Sequence, residues 1–514
     1  MARVVQVALQ GDRNRIRRRL LHIAGPISAA YALEGLTMAL PIWAAAHGGK
    51  PLAQEATRRV GAVGLGDSVL GSLCDAFALG WADAQDTLVS HAHGADDADK
   101  ARDHLNCCQV WMLLLAALSS VILLQTEAIL LWTGCANEQI AANASRYVLA
   151  SIPGIWFLFQ YYSLKKFLVN QQISSPLFWV LSAAIPCHLG VCLLLLEWSS
   201  LDPLVSMGIA FSVKSGVSFL LLAGYMSWFH PTPSCVGWWR IWQSSALTWK
   251  GLSTYAAIGV PSVAMNGLDA WAFQFLTLMA GRLQSPTELA AHVAVSIVYC
   301  WTYLMFRGTS EAATALAGAA VGQQNLGEVS SILQVSTKVT ITICGMIVVC
   351  CWLGRGRLAF GLLGDELVTH AAFMGAFPCL LVQIWADGLN SLYGCVLAAF
   401  GQQGSVSVGI LIFQWIVKLP FAWLLVFHSH LGTLGLWIAS STASVMNMIY
   451  NGTLTRHCLK SLGTKWQCSK LVNTEIDETY GSAAVIGSPV AGASVDIDLK
   501  ASFEGDVFLR HRAQ

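Results

Sequence analysis

The chain has 514 residues, of which 55% are hydrophobic and only 11% are charged. This composition excludes an ordinary soluble protein, because almost no long segment carries the polar outer face that a surface helix needs. The formal net charge of +1 provides no basic patch of the size that nucleic-acid binding requires, so that class is excluded as well.

Twelve stretches are long and apolar enough to cross a membrane, since a spanning helix needs about 20 mostly apolar residues. The first six lie at residues 20–46, 60–88, 105–133, 145–168, 176–198 and 204–229. The second six lie at residues 252–281, 287–320, 334–353, 367–399, 406–428 and 432–455. The sequence therefore predicts an all-α integral membrane protein with twelve transmembrane helices.

Lysine and arginine are more frequent on one predicted side of the membrane, which indicates the cytosolic side. The residues on that side are Arg13, Arg15, Arg17, Arg18, Arg19, Lys100, Arg102, Lys165, Lys166, Arg240, Lys250, Lys338, Arg456, Lys460 and Lys465. We therefore expect both termini to lie in the cytosol. We expect no cleavable signal peptide, because the apolar run that begins at Leu20 is too long for one. The membrane is left open between the plasma membrane and a vacuolar or other endomembrane.

Short motifs recur in the same order in both halves, as in transporters built by internal duplication. A proline precedes an acidic residue by eight positions in the first helix of each half, as Pro26 before Glu34 and Pro261 before Asp269. The segments 88–94 and 316–322, which end the second and eighth helices, also match in spacing and in a final glycine. The repeat predicts two pseudo-symmetric six-helix lobes.

The predicted organisation has five parts. They are a basic cytosolic N-terminus (1–19), an N-lobe with helices one to six (20–229), an interlobe cytosolic linker (230–251), a C-lobe with helices seven to twelve (252–456) and a cytosolic tail (457–514). The tail becomes rich in acidic and small residues, so we expect it to be disordered.

Ionisable residues inside spanning helices are candidates for function, because a charge within the membrane is expensive to keep. They are Glu34, Asp67, Asp75, Asp269, Asp387, Lys214, Lys418 and the pair Arg307 and Glu311. Asp269 has Asn266 one turn before it and Phe273 one turn after it, so an amide, a carboxylate and a ring share one face. That face is typical of a binding wall, and Asp387 lies on a similar polar stripe.

Several of these residues stand inside longer motifs. The first half contains Asp86-Thr87-Leu88 through His93-Gly94-Ala95, Pro153-Gly154 and Lys166-Phe167-Leu168-Val169-Asn170-Gln171. The second half contains Pro261 through Asp269 and Phe273, Gly308-Thr309-Ser310-Glu311-Ala312-Ala313, Asp387-Gly388-Leu389 and Gly401-Gln402-Gln403. Over about residues 20–456, this series resembles the multidrug and toxic compound extrusion (MATE) family.

The resemblance implies a two-lobed exporter with a cavity between its lobes, driven by protons or sodium. It also implies that the acids of helices seven and ten, here Asp269 and Asp387, take part in coupling. An alternative is that these acids only join helices through hydrogen bonds. Glu34, the repeat partner of Asp269, is left open between a compensating charge and a helix-packing role. We interpret Arg307 and Glu311, which are one helical turn apart, as a structural pair.

The leading hypothesis is an antiporter that exports organic cations, drugs or other amphiphilic solutes in exchange for protons, in preference to sodium. Its partners would be a small organic solute, the coupling ion and the lipid bilayer, with no nucleic acid and no cofactor, and it would act as a monomer. Two alternatives are an exporter of organic anions and a lipid-linked flippase of the same superfamily, which would need a cationic cavity. An enzyme is not expected, because no catalytic motif is present.

Overall fold

The structure, a computed structural model, describes residues 2–47, 53–132, 138–235, 247–283, 285–363 and 367–481. These residues form helices joined by short turns, and the part of the chain that is described contains no β-strand. Two compact units are present, Met1–Ser461 and Leu462–Gln514, and the features discussed below all belong to the first.

Within the described ranges, twelve helical segments, α1 to α12, follow one another. The first six are α1 Ala2–His47, α2 Ala53–Leu70 with Gly71–Asp75, Ala76–Ala82 and Gln85–Gly94, α3 Ala98–Leu123 with Thr126–Trp132, α4 Glu138–Asn170, α5 Ser175–Trp198 and α6 Pro203–Phe229. The second six are α7 Trp249–Gly281, α8 Pro286–Gly322, α9 Leu326–Leu363, α10 Leu367–Ala399, α11 Gln403–Ile410 with Leu411–Val417, Lys418–Trp423 and Leu424–His428, and α12 Gly432–Gly481. The prediction of an all-α integral membrane protein is confirmed, and each of the twelve predicted spans falls on one of these segments.

Eight helices in the described ranges are long and apolar enough to cross a membrane by length and composition. The other four predicted spans, α1, α4, α7 and α12, are also helical but carry more polar residues. In α4 these include Lys165 and Lys166, and in α7 they include Asn266 and Asp269. Helices that supply polar side chains to the interior of a bundle have a lower mean hydropathy. This explains why these four differ from the other eight.

The first and last helices extend beyond the predicted spans, and the first of them begins at Ala2, ahead of residue 20. The last helix continues to Gly481, past residue 456, where the sequence predicts that the membrane part ends. Residues 236–246 of the predicted linker and residues 482–514 of the predicted tail lie outside the described residues.

The end of α2 crosses the end of α8 at a contact that only glycine allows. A Cβ atom at Gly94 would overlap the carbonyl oxygen of Ala319, and one at Gly322 would overlap the carbonyl oxygen of His91. Within the sequence repeat, Gly94 is equivalent to Gly322 and His91 is equivalent to Ala319. The two contacts are therefore reciprocal, and the duplicated motif forms the close contact between the first and second halves.

Candidate functional site

A cavity of about 400 Å³ lies among α2, α7, α8, α10, α11 and α12. Its volume falls within the range of small-molecule sites, roughly 300–1,000 Å³. Five charged side chains line it, namely Asp83, Asp269, Arg307, Asp387 and Lys418. A polar, charged cavity inside apolar helices is the arrangement expected of a solute pathway.

The structure brings four of the five predicted site residues together in this cavity. Asn266, Asp269 and Phe273 line it from α7, and Asp387 lines it from α10. The three residues of α7 share one face of that helix because they recur at the spacing of a helical turn. Asp387 is almost fully buried, with 6% of its surface exposed.

Two aromatic rings hold Asp387 in place. The hydroxyl of Tyr299 donates a hydrogen bond to Asp387 Oδ2 at 2.8 Å. The Tyr299 ring in turn stacks on Phe273, with ring centroids 5.3 Å apart. By contrast, among the described residues no hydrogen bond or ion pair is formed by the carboxylate of Asp269. One acid is therefore fixed and the other is available to the contents of the cavity.

A second wall of the cavity comes from α11 and α12. Gln414 and Lys418 line it one turn apart on α11, and Ser444, Asn447 and Asn451 line it from one face of α12. Of these residues, the sequence analysis named only Lys418. The signal that could have found the others is a row of amides and a hydroxyl at helical spacing inside apolar helices.

Lys166 is the centre of a buried charge cluster beside the cavity. Its Nζ lies 2.7 Å from Asp83 Oδ1, 3.1 Å from Asp86 Oδ2 and 3.3 Å from Glu311 Oε1. Asn170 Nδ2 also donates to Asp86 Oδ1 at 2.9 Å. Because Lys166 belongs to α4, the acidic pair to α2 and Glu311 to α8, the cluster joins the first half of the chain to the second.

Arg307 extends the charge cluster into the cavity. Its Nε lies 3.6 Å from Glu311 Oε1, so the pair expected one helical turn apart is formed. Arg307 Nε also donates to the hydroxyl of Tyr31 at 3.2 Å, and that hydroxyl donates to Glu311. Asn266 Nδ2 donates to Asp83 Oδ2 at 3.0 Å and so connects the cluster to α7. The pair is therefore one part of a larger network that sequence reasoning missed.

Glu34, the fifth predicted site residue, does not line the cavity. Lys165 Nζ lies 3.3 Å from Glu34 Oε2, and the hydroxyl of Tyr162 donates to Glu34 Oε1 at 3.3 Å. These contacts agree with a helix-packing role for Glu34, and a role in coupling stays a prediction.

The assignment of Lys165 and Lys166 to a cytosolic loop was wrong. Each has only 1% of its surface exposed, and both lie inside α4 rather than beyond its end. Lys166 pairs with buried acids and Lys165 with the partly buried Glu34, and such pairing is how lysines are retained away from water. Neither residue therefore belongs in the count of loop charges that predicts the orientation.

Two other ionisable candidates lie away from the cavity. The hydroxyl of Tyr147 donates to Asp67 Oδ1 at 2.6 Å, which joins α4 to α2. Lys214 Nζ lies 5.0 Å from the centre of the Phe211 ring on the same helix. The side chain of Asp75 lies outside the described side chains.

The helices and their polar cavity define a multi-pass membrane transporter rather than an enzyme. The family model described as MatE matches residues 52–194 and 261–424. The chain therefore belongs to the MatE family, and the resemblance seen in the motifs is confirmed.

Relatives match most of the chain. It is 25% identical over 441 residues to Protein DETOXIFICATION 37 of Arabidopsis thaliana, covering 84% of this chain and 83% of the relative. It is 28% identical over 387 residues to the Probable multidrug resistance protein NorM of Bradyrhizobium diazoefficiens, covering 74% and 81%. The crystal structure of the eukaryotic MATE transporter AtDTX14 superposes with a TM-score of 0.79 at 20% identity, covering 88% of this chain and 99% of that one, which supports the fold.

Proposed function

We propose that this transporter is an antiporter that exports organic cations, drugs or other amphiphilic solutes in exchange for protons. The observation that carries the proposal is the cavity that Asp269 and Asp387 share with Asn266 and Phe273. The names of the two relatives, a detoxification protein and a probable multidrug resistance protein, support export as the direction.

Competition between a proton and the solute for one carboxylate would couple proton entry to solute export. A carboxylate inside the membrane needs a compensating positive charge, which a proton or a cationic solute can supply. Both cannot occupy the same oxygens at once, so arrival of the solute displaces the proton. Asp269 is suited to this exchange because its carboxylate lines the cavity and is not held by another described side chain. Asp387, fixed by Tyr299, would act beside it.

The charges of the cavity favour this reading over a lipid-linked flippase. Three carboxylates and two cations line it, namely Asp83, Asp269 and Asp387 with Arg307 and Lys418. A flippase for a lipid-linked anion would need an excess of cations, and the lining has an excess of acids.

The same proposal places both termini in the cytosol and takes the monomer as the functional unit. The basic segment that contains Arg13, Arg15, Arg17, Arg18 and Arg19 supports a cytosolic N-terminus, and an even number of spans places the C-terminus on the same side. The cavity is built from one chain, which supports function as a monomer.

Transport into proteoliposomes tests the proposal, with the ethyl ester of rhodamine B as a fluorescent organic cation. The vesicles are acidic inside, and valinomycin with equal potassium on both sides holds the membrane potential at zero. We expect dye to accumulate with the wild type and the Asp269→Asn variant to lose gradient-driven accumulation. Nigericin, which collapses the pH gradient, should abolish accumulation by the wild type.

The matched control is Asp67→Asn, which neutralises an intramembrane acid outside the cavity and keeps an oxygen for Tyr147. This variant should accumulate dye like the wild type. Full accumulation by Asp269→Asn would contradict the coupling role of Asp269. Accumulation driven by a sodium gradient at equal pH, but not by the pH gradient, would contradict proton coupling.

A further inference from the structure

Lys418 places a buried ammonium in the same cavity as Asp269 and Asp387. The residue has 3% of its surface exposed, follows the π-helical turn Leu411–Val417 of α11 and lines the cavity. Within the part of the chain that the structure describes, its ammonium forms no hydrogen bond or ion pair with either carboxylate. Opposite charges therefore share one cavity without contacting each other.

Two hydrogen bonds join α7 to α11 near these residues. Trp415, one turn before Lys418, donates from its indole nitrogen to the carbonyl oxygen of Leu268 at 2.9 Å. Leu268 directly precedes Asp269. Ser407 also donates to the carbonyl oxygen of Pro261 at 2.9 Å. Because the two helices are joined at both places, the side chains of Lys418 and Asp269 line the same cavity from neighbouring helices.

Unused amide groups line the same cavity as the ammonium. Both side-chain atoms of Asn447, Nδ2 and Oδ1, and Gln414 Oε1 have no hydrogen-bond partner among the described residues. Asn447 and Gln414 have 0% and 3% of their surfaces exposed, and both line the cavity. Buried polar groups normally have partners, so unpartnered ones in a cavity indicate a polar ligand. An N–H₂ group and an ammonium that line one cavity are both hydrogen-bond donors, which suits an anionic oxygen group.

We propose that Lys418 and Asn447 bind a carboxylate of the transported solute while Asp269 binds its cationic group. The preferred solute class is then an amphiphile that carries both charges, not a simple organic cation. This inference rests on the proposed antiport and specifies its substrate. The cationic group still displaces the proton from Asp269, so the coupling step is unchanged. The carboxylate adds selectivity, because a solute without it leaves the ammonium and the amide unpaired.

Rhodamine B and its ethyl ester test this assignment, because they share one cationic ring system and only rhodamine B has a free carboxylate. Uptake of each dye is measured in the proteoliposomes described above. We expect the wild type to transport both dyes. In Lys418→Gln, transport of rhodamine B should fall about tenfold or more, in keeping with loss of a buried charge contact. Transport of the ester should fall much less, because the ester has no carboxylate for the ammonium to bind, so the ratio of the two transport rates should change.

Two further variants separate charge from folding. Lys418→Arg keeps the positive charge and should retain transport of rhodamine B. Asn447→Leu keeps the side-chain volume but removes the N–H₂ donor, so it should lower transport of rhodamine B more than transport of the ester. The matched control is Lys214→Gln, which removes an intramembrane lysine outside the cavity and should leave the ratio of the two dyes unchanged.

The outcomes distinguish this inference from the proposed function. If the wild type transports neither dye under the pH gradient, the antiport itself is overturned. If the wild type transports the ester alone, only the carboxylate site is overturned. An equal fall of both dyes in Lys418→Gln, or no fall of either, would also overturn it, since Lys418 would then act on coupling, folding or nothing measurable.

Discussion

Replacement of Lys166 by methionine should destabilise the protein by about 3–5 kcal/mol, the cost of removing one partner from a buried ion pair. Methionine keeps most of the side-chain length but removes the charge that contacts Asp83, Asp86 and Glu311. Of these three carboxylates, Asp83 and Glu311 keep an ion pair with Arg307. Unfolding in mixed micelles of a mild detergent and SDS measures the change in free energy.

A second substitution makes this prediction independent of whether the single variant folds well. Asp86→Asn combined with Lys166→Met removes one charge of each sign, so the double variant should be more stable than Lys166→Met alone. Lys338→Met, at an exposed lysine of α9, should change stability by no more than about 0.5 kcal/mol. Losses that simply add in the double variant would show that Lys166 and Asp86 do not stabilise each other.

The sequence could predict the α7 side of the cavity because its signal is local. Asn266, Asp269 and Phe273 lie within two turns of one helix, so periodicity alone places them on a common face. Asp387 was found for a related reason, since a carboxylate inside an apolar run is conspicuous on its own. Each inference needed only the regular geometry of one helix.

The charge cluster could not be predicted in the same way, because its contacts join distant parts of the chain. Lys166 and Asp86 are 80 positions apart, and the sequence of either helix alone does not show which residue of the other it contacts. Lys165 and Lys166 also lie near the end of α4. A lysine without an acidic partner at such a position would belong to the adjacent loop. Only the packing of α4 against α2 and α8 shows that these lysines are buried and paired.

The cluster and the cavity form one connected system. Asp83 and Arg307 belong to both, and Asn266 donates to Asp83 from the helix that carries Asp269. Any movement that separates α2 and α4 from α8 must break the contacts of Lys166 and Arg307 across that boundary. A change at the proposed coupling acid Asp269 would therefore reach the contact between the two halves through Asn266, which lies on the same helix.

Substitution of Gly94 or Gly322 by alanine should each lower stability by about 1–3 kcal/mol, as insertion of extra atoms into a packed interface does. The new methyl group would overlap a backbone carbonyl oxygen, that of Ala319 in one case and that of His91 in the other. Backbone atoms cannot relieve such an overlap by a rotamer change, as a flexible side chain can. Because the two contacts are equivalent under the repeat, the two losses should be similar. Thermal unfolding in detergent, followed by size-exclusion chromatography, measures them.

The matched control is Gly345→Ala in the interior of α9, where nothing lies within 4 Å of the added methyl group. There the substitution should be neutral or stabilising by up to about 1 kcal/mol, because alanine favours a helix more than glycine does. A loss at Gly94 without a similar loss at Gly322 would contradict the reciprocal contact. Equal losses at both, with none at Gly345, would indicate that the duplicated glycine motif is retained because each copy makes room for the backbone of the other.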